Sequence, residues 1–259
     1  MKVPILRFGW LEYYSKKRKA IKILKFCFGA LFLHSRAIAY YLFNSLSFDN
    51  KNTILDIGSG DGNFANWISY HSGAEVVGVE RLSHRVKISK KTAEKYGTNT
   101  RFICKDIEKE KVNFDCKFDK IIILDCLEHL RNPQSMIEKS FSWLKKGGVL
   151  FISTPYFKQN RFFLDSYQEE FAYGEDQHHY DGFSKKQLNN WLKEAGFKKN
   201  EVRYTFYKIY QFTWEISEKM RRSKLLYSLF IPFFHLMFVL DRKFKPGNKG
   251  NGLICIAKK

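Results

Sequence analysis

The sequence predicts an α/β fold, in which a mostly parallel β-sheet is covered by helices on both faces. Short apolar runs suited to buried strands alternate with longer segments of helical periodicity between residues 54 and 197. The segment from Phe118 to Leu124 is suited to a central parallel strand. A glycine-rich turn joins the first strand to the first helix of this series. With 259 residues, the chain is long enough for one such core with extensions.

The segment from Ile54 to Ile68 is the strand, turn and helix around which this fold is organised. It passes from a buried strand through glycines 58, 60 and 62 into a helical pattern. Such a junction lets a small ligand approach the backbone closely, and free N–H groups at the helix start face that ligand. The spacing is G-x-G-x-G, whereas dinucleotide-binding proteins have G-x-G-x-x-G. The alternative is a tight turn that binds nothing.

An aspartate two residues before the first glycine makes this segment resemble motif I of class I S-adenosylmethionine (SAM) methyltransferases. The resemblance covers about residues 50–206 and 250–259, and it implies a Rossmann-like, seven-stranded, mostly parallel sheet with SAM as cofactor. Asp56 and Asp61 would lie near the cationic sulfonium and amino groups of SAM. The cofactor-binding residues implied in this motif are Asp56, Ile57, Gly58, Ser59, Gly60, Asp61 and Gly62.

Acidic residues follow the next two predicted strands. Glu80 ends the strand EVVGVE, 18 residues beyond Gly62, where a carboxylate can accept hydrogen bonds from ribose hydroxyls. A helix is predicted over 83–95, and a third strand leads to Asp106. By the same resemblance, Asp106 lies near the adenine amino group, although it is also compatible with a plain loop carboxylate. The cofactor-binding set therefore extends to Glu80, Arg81, Asp106 and Ile107.

The sequence after the fourth strand, DCLEHL, resembles the E-x-x-E-H segment of quinone-type and small-molecule O-methyltransferases. Asp125, Cys126 and Leu127 complete the implied cofactor-binding set, and His129 is the first candidate for a general base. We expect no metal in the site. The resemblance nevertheless leaves open a divalent metal on Asp125, Glu128 and His129, and a purely structural role for the last two residues is a further alternative. The segment lacks [DN]-P-P-[FY], which argues against methylation of nucleic-acid bases.

A long polar and aromatic loop after Pro155 lies where acceptor lids usually occur. His178 and His179 are its candidate bases, and at most one is expected to be catalytic, because adjacent side chains of an extended segment face opposite ways. A structural or solvent-facing role is the alternative for both. A helix over 183–197 and a sixth strand over 198–206 follow.

Two segments outside the core are basic and apolar. We divide the chain into an N-terminal helical extension, a cofactor-binding core, an apolar insertion and the last strand, at 1–48, 49–206, 207–249 and 250–259. Within the insertion, residues 225–240 carry no charge over 16 residues and are flanked by basic residues. A bilayer span needs about 20 apolar residues, and Pro232 is expected to break the run. We therefore predict an interfacial or re-entrant hairpin. A buried helix or a homodimer interface is the alternative.

The charge predicts an anionic partner. Lys and Arg number 45 against 26 Asp and Glu, a net charge of +19. We expect residues 1–36 and 221–245 to contact an anionic membrane surface at the cytoplasmic face of the cell membrane. The five cysteines show no paired spacing and are expected to be reduced and buried.

These observations predict a SAM-dependent O-methyltransferase that acts on a small or lipid-linked acceptor, either a quinone precursor or a glycan-lipid intermediate. One rival is an RNA-directed methyltransferase, which would use the positive charge to bind phosphates. The other is a non-catalytic, methyltransferase-like membrane adaptor. The apolar insertion disfavours the first, and the intact glycine motif with Glu80 disfavours the second.

Overall fold

A computed structural model describes residues 33–162, 177–220 and 223–259 of the chain. The expectations for residues 1–32, for the middle of the loop at 163–176 and for Arg221 and Arg222 lie outside the described residues.

Seven strands form one sheet in the order β3-β2-β1-β4-β5-β7-β6. Strand β7 runs antiparallel to both of its neighbours, and the other pairings are parallel. The predicted seven-stranded, mostly parallel sheet is confirmed. The strands are β1 (Thr53–Ile57), β2 (Glu75–Glu80), β3 (Thr100–Cys104), β4 (Phe118–Leu124), β5 (Leu144–Pro155), β6 (Lys199–Thr205) and β7 (Gly252–Lys258).

Several helices begin or end at residues that are typical helix caps. Helices α2 and α3 each end at a left-handed glycine, Gly73 and Gly97. Helix α5 begins with a capping box between Ser184 and Gln187. The helices are α1 (Leu33–Ser45), α2 (Asn63–Ser72), α3 (Ser83–Tyr96), α4 (Pro133–Trp143), α5 (Lys185–Glu194), α6 (Lys208–Met220) and α7 (Lys224–Phe244).

Hydrophobic clusters lie on both faces of the sheet, because successive strand residues point to opposite sides. On one face, Leu55 and Ile57 of β1 share a cluster with Ile137 of α4 and Leu188 of α5. On the other face, Ile54 shares a cluster with side chains of α1 and α2, including Leu42, Trp67 and Ile68. Helix α4 ends at Trp143, because Leu144 already begins β5.

The insertion forms helices α6 and α7, which pack with α1 in a third hydrophobic cluster. The expected break at Pro232 is wrong, because α7 continues through this residue. Pro232 is exposed, so solvent can hydrate the carbonyl that loses its hydrogen bond. No helix among the described residues combines the length and apolar character that crossing a membrane requires.

Helix α7 buries one side and leaves an apolar side exposed. Tyr227, Ile231, Phe234 and Phe238 are buried at helical spacing. The outer side carries large apolar side chains that are 41–63% exposed, which we call the α7 apolar face: Leu226, Leu229, Phe230, Phe233 and Leu236.

The cysteines are free thiols at every described position. Cys255 is buried, but Cys104 and Cys116 are exposed, which corrects the expectation that all are buried. Cys104 ends the edge strand β3, and Cys116 lies in the loop before β4, so neither reaches a core face. Cys27 lies outside the described residues.

Replacing Phe234 by Ala should lower the free energy of unfolding by about 3–5 kcal/mol, because a buried phenyl ring is lost and a cavity remains. Phe233→Ala is the matched control on the same helix. Its ring is 46% exposed, against 2% for Phe234, so a loss within about 0.5 kcal/mol is expected. Urea denaturation measures both. Equal losses at the two positions would show that α7 does not pack in this orientation.

Candidate active site

The carboxyl ends of β1, β2 and β4 meet at one edge of the sheet. Ile57 pairs in register with both Val79 and Ile123, so the loops after these strands begin side by side. Helix α2, which follows β1, and helix α4, which follows β4, cover opposite faces of the sheet. Ligands bind at such a switch point in open α/β sheets.

The glycine loop after β1 has a backbone that side chains would disturb. Gly58, Gly60 and Gly62 have φ angles of 72°, 54° and 70°, which disfavour residues that carry a side chain. A Cβ atom at Gly58 would collide with the side chain of Cys126, whereas one at Gly60 would meet no atom within 4 Å. The loop is therefore packed on one side and open beside Gly60.

Glu80 joins the glycine loop to the start of α3. Its Oε2 accepts the Gly60 amide N–H at 3.0 Å, and its Oε1 accepts the Leu82 amide N–H at 2.9 Å. The side chain is 7% exposed and lines a cavity of about 210 Å³. Each carboxylate oxygen has a second lone pair, so Glu80 can still accept a ligand hydroxyl.

Two further acids near this cavity have shifted pKa values of opposite sign. Burial and the neighbouring Glu80 carboxylate raise the pKa of Asp56 to about 7. Burial opposes ionisation of Asp106, but hydrogen bonds from the Glu108 and Lys109 amides and the Lys109 ammonium lower its pKa. Asp106 is therefore a fixed negative charge in the cavity wall, while Asp56 lies buried behind the loop.

The structure brings half of the predicted cofactor-binding residues to the wall of this smaller cavity. Those on the wall are Gly58, Glu80, Arg81, Asp106, Ile107, Asp125 and Cys126. Those elsewhere are Asp56, Ile57, Ser59, Gly60, Asp61, Gly62 and Leu127. Of these, Ile57 and Leu127 are core residues, and Asp61 is exposed. Sequence reasoning missed wall residues outside the motifs, namely Val79, Arg85, Lys105, Glu108, Lys109, Leu130, Arg131 and Gln177.

A larger cavity of about 470 Å³ adjoins the smaller one. Asp125, His129 and Gln177 line both cavities and therefore mark their junction. His178 lines the larger cavity and His179 the smaller, as expected for adjacent side chains that face opposite ways. The wall of the larger cavity also includes His34 of the N-terminal extension, Phe206 at the end of the core, and three residues of the insertion, Tyr210, Gln211 and Trp214.

Asp125 forms a hydrogen-bonded chain with His34 and Tyr210 at this junction. Its Oδ2 lies 2.7 Å from His34 Nε2, and the Tyr210 hydroxyl lies 2.9 Å from His34 Nδ1. Its Oδ1 accepts the Ser153 hydroxyl at 3.1 Å. Burial disfavours a charged His34, but the Asp125 carboxylate outweighs this effect and raises the pKa of the imidazole.

Asp125 itself has a φ angle of 45°, an unusual backbone for a residue with a side chain. Sequence reasoning missed His34, which precedes Asp125 by 91 residues and carries no motif.

Glu128 and His129 occupy the wall beside this chain. Glu128 is buried and accepts the Thr154 hydroxyl at 3.0 Å. Burial and the neighbouring Asp125 charge raise the pKa of Glu128, which favours the protonated form of this carboxyl group. His129 Nδ1 lies 3.1 Å from the Gln177 carbonyl oxygen, and its ring centroid is 4.3 Å from that of His178.

The structure groups three possible metal ligands, but they differ from the three residues that the sequence left open for a metal. Atoms of Glu128, His129 and His178 that could bind a metal all lie within 4.8 Å of one another. Asp125 is not in this set, because its carboxylate oxygens bind His34 and Ser153.

The fold and the two adjoining cavities are typical of an α/β enzyme that binds a nucleotide-like cofactor beside a second substrate. A family model described as a methyltransferase domain matches residues 30–202, more than half of the chain. The chain therefore belongs to this methyltransferase family.

Relatives named ubiquinone biosynthesis O-methyltransferase occur in several bacteria. The protein of Coxiella burnetii is 33% identical over 114 residues, 44% of this chain and 47% of that one. The chain thus spans about half the length of the first curated relatives that it matches. The protein of Xanthomonas euvesicatoria is 26% identical over 180 residues, 68% of this chain and 75% of that one.

A solved structure shows the same fold. Phosphoethanolamine N-methyltransferase 2 of Haemonchus contortus, in complex with SAM, superposes with a TM-score of 0.64 at 18% identity. The superposition covers 99% of this chain and 60% of that one.

Gly60→Arg should abolish SAM binding, because the new side chain would enter the open space beside the glycine loop. Gly97→Arg is the matched control, since Gly97 also has a positive φ and no atom within 4 Å of an added Cβ. Both variants carry similar backbone strain, but Gly97 lies at the end of α3. Isothermal titration calorimetry with SAM should detect binding to wild type and Gly97→Arg only. Binding to Gly60→Arg at wild-type affinity would place the cofactor elsewhere.

Proposed function

We propose that the protein transfers the methyl group of SAM to a hydroxyl oxygen of a phenolic acceptor, small or lipid-linked, of the quinone-precursor type. The observation that carries this proposal is the junction of the two cavities at Asp125 and His129. A cofactor in the smaller cavity and an acceptor in the larger one would meet there. The names of the Coxiella and Xanthomonas relatives support the same acceptor class and an oxygen acceptor atom.

The residues of the smaller cavity fit SAM. Glu80 would accept hydrogen bonds from the ribose hydroxyls, and Asp106 would face the adenine amino group, as the resemblance implies. The space beside Gly60 leaves room for a ligand along the backbone. When bound, SAM supplies an electrophilic methyl group on a positively charged sulfur. The carboxylates on this wall attract that charge, while the chain aligns the acceptor oxygen with the methyl group.

The larger cavity offers the groups that a phenolic acceptor needs. Its wall combines aromatic rings, Phe206, Tyr210 and Trp214, with hydrogen-bonding groups around Thr154 and Asn251. Aromatic side chains would pack against a ring, and the polar groups would orient its substituents. Protonated Glu128 adds a hydrogen-bond donor without adding negative charge. His129 and His178 lie within reach of the acceptor and are candidate bases for its hydroxyl.

We infer that the enzyme works at the cytoplasmic surface of the cell membrane. The α7 apolar face exposes several large side chains side by side, which is typical of an interaction surface. The exposed rings of Phe162 and Phe212 pack against each other, with their centroids 5.6 Å apart. They are adjacent in sequence to the cavity residues Arg161 and Gln211. Their position supports the entry of a lipid-linked acceptor from an apolar phase. The net charge of +19 supports attraction to anionic lipids.

Purified protein incubated with SAM and catechol should form the monomethyl ether, because catechol presents the phenolic hydroxyl that the larger cavity is suited to bind. Mass spectrometry detects the product. Gly60→Arg serves as the inactive control and Gly97→Arg as the active one. Methylation of bulk RNA or of phosphoethanolamine, with no product from catechol, would contradict the proposed acceptor class.

Replacing Leu229, Phe233 and Leu236 together by Ser should release the protein from vesicles containing phosphatidylglycerol, because the variant removes apolar area from the α7 apolar face. Co-sedimentation measures binding, and turnover of soluble catechol should stay unchanged. Tyr70→Ser is the control, since Tyr70 is 52% exposed on α2, outside this face. Undiminished vesicle binding by the triple variant would refute the membrane role of α7.

A further inference from the structure

We propose that His34 of the N-terminal extension takes the acceptor's hydroxyl proton, through the hydroxyl group of Tyr210 and with Asp125 behind it. This inference rests on the proposed O-methyl transfer and deepens it. It replaces the base that the sequence favoured, His129, by a residue that α1 carries into the site.

The hydrogen bonds assign the direction of proton transfer. Asp125 Oδ2, an acceptor, lies 2.7 Å from His34 Nε2, so that nitrogen carries the hydrogen. When the imidazole is neutral, His34 Nδ1 is the acceptor, and the Tyr210 hydroxyl donates to it at 2.9 Å. A carboxylate behind an imidazole holds its tautomer and stabilises the imidazolium that forms.

The position of the Asp125–His34–Tyr210 hydrogen-bonded chain fits a role in proton transfer. All three residues line the larger cavity, and Asp125 also lines the cofactor cavity. Both ring nitrogens of His34 are hydrogen-bonded, so the acceptor would approach Tyr210, which lines the same cavity. The chain therefore lies where the acceptor oxygen would face the methyl group.

Neighbouring residues hold His34 and Tyr210 in place. The Tyr210 and Tyr207 amides donate to the buried carboxylate of Asp241 at 2.9 and 2.8 Å, which fixes the start of α6. The Phe206 ring stacks on Tyr210 at 4.6 Å and contacts His34 at 5.2 Å. Preorganised partners of this kind favour proton transfer.

His129 lacks this support. Its Nδ1 donates a hydrogen bond to the Gln177 carbonyl oxygen, so only its Nε2 could accept a proton. Among the described residues, no carboxylate forms a hydrogen bond to the His129 ring. Charged and titratable groups around His34 include Asp125, Tyr210 and Glu218, with others across the cavity, namely Glu128, His129, Arg161, His178 and Asp181. The Asp125 carboxylate raises the pKa of His34.

The step balances without any further reactant. The acceptor's O–H bond breaks and its proton passes to the Tyr210 oxygen, while the Tyr210 proton passes to His34 Nδ1. The electron pair left on the acceptor oxygen forms the new oxygen–methyl bond. The carbon–sulfur bond breaks, and its electron pair stays with sulfur. His34 ends as an imidazolium beside the Asp125 carboxylate.

Two substrates separate base catalysis from a structural role. Catechol is protonated at neutral pH, whereas 4-nitrocatechol is more acidic and needs a base less. His34→Gln should lower kcat for catechol by roughly 10²–10⁴-fold, lower kcat for 4-nitrocatechol far less, and leave the Kd for SAM unchanged. Tyr210→Phe should show the same selectivity. His84→Gln, an exposed residue on the wall of neither cavity, is the matched control.

Equal losses with both substrates, or a selective loss in His129→Gln in place of His34→Gln, would overturn the proposal. If wild type binds SAM but methylates neither catechol, the proposed acceptor class fails, and NMR titration of the His34 ring still tests the inference. We expect an imidazole pKa above 6.5 that falls in Asp125→Asn. A His34 titration that Asp125→Asn leaves unchanged would refute the couple.

Discussion

The adjacency of β1 and β4 is the constraint on which the site depends. Their following helices leave to opposite faces, so neither helix covers the carboxyl ends of these strands. The loops that start there carry the glycine motif, Asp125 and Glu128. Gly58 has no side chain, and this absence lets Cys126 approach the first loop. The sheet topology and the close approach of the Cys126 side chain to Gly58 thus shape the space in which the proposed cofactor and acceptor would meet.

A layer of three helices outside the sheet supplies further residues to the larger cavity. Helices α1, α6 and α7 form one hydrophobic cluster, and its inner end supplies His34 and Tyr210 to the larger cavity. Asp241 of α7 accepts hydrogen bonds from the Tyr207 and Tyr210 amides around the start of α6, so the insertion positions Tyr210 in the cavity wall. The same α7 turns apolar side chains outward. The proposed acceptor binding and the proposed membrane attachment would therefore both depend on helices α1, α6 and α7.

The sequence predicted what local patterns determine. Strands β2 and β4 occur with the predicted bounds, and Glu80 lies in the smaller cavity, because strand periodicity and motif spacing are local signals. The buried side of α7 could not be predicted, because the helix carries apolar side chains on every side. Only its packing against α1 and α6 determines which of them are buried. His34 could not be found either, because its partner lies 91 residues away. The exposure of Cys104 and Cys116 could not be predicted either, because it follows from the place of β3 at the edge of the sheet and of Cys116 in a loop.

A crystal structure with S-adenosylhomocysteine and catechol tests most directly whether the two cavities form one active site. We expect the ribose of the bound nucleoside at Glu80, and a catechol hydroxyl within hydrogen-bond distance of Tyr210 or His34. The cofactor sulfur should lie across the junction from that hydroxyl. Catechol bound with both hydroxyls away from His34 and Tyr210, or a nucleoside outside the Glu80 cavity, would contradict this arrangement.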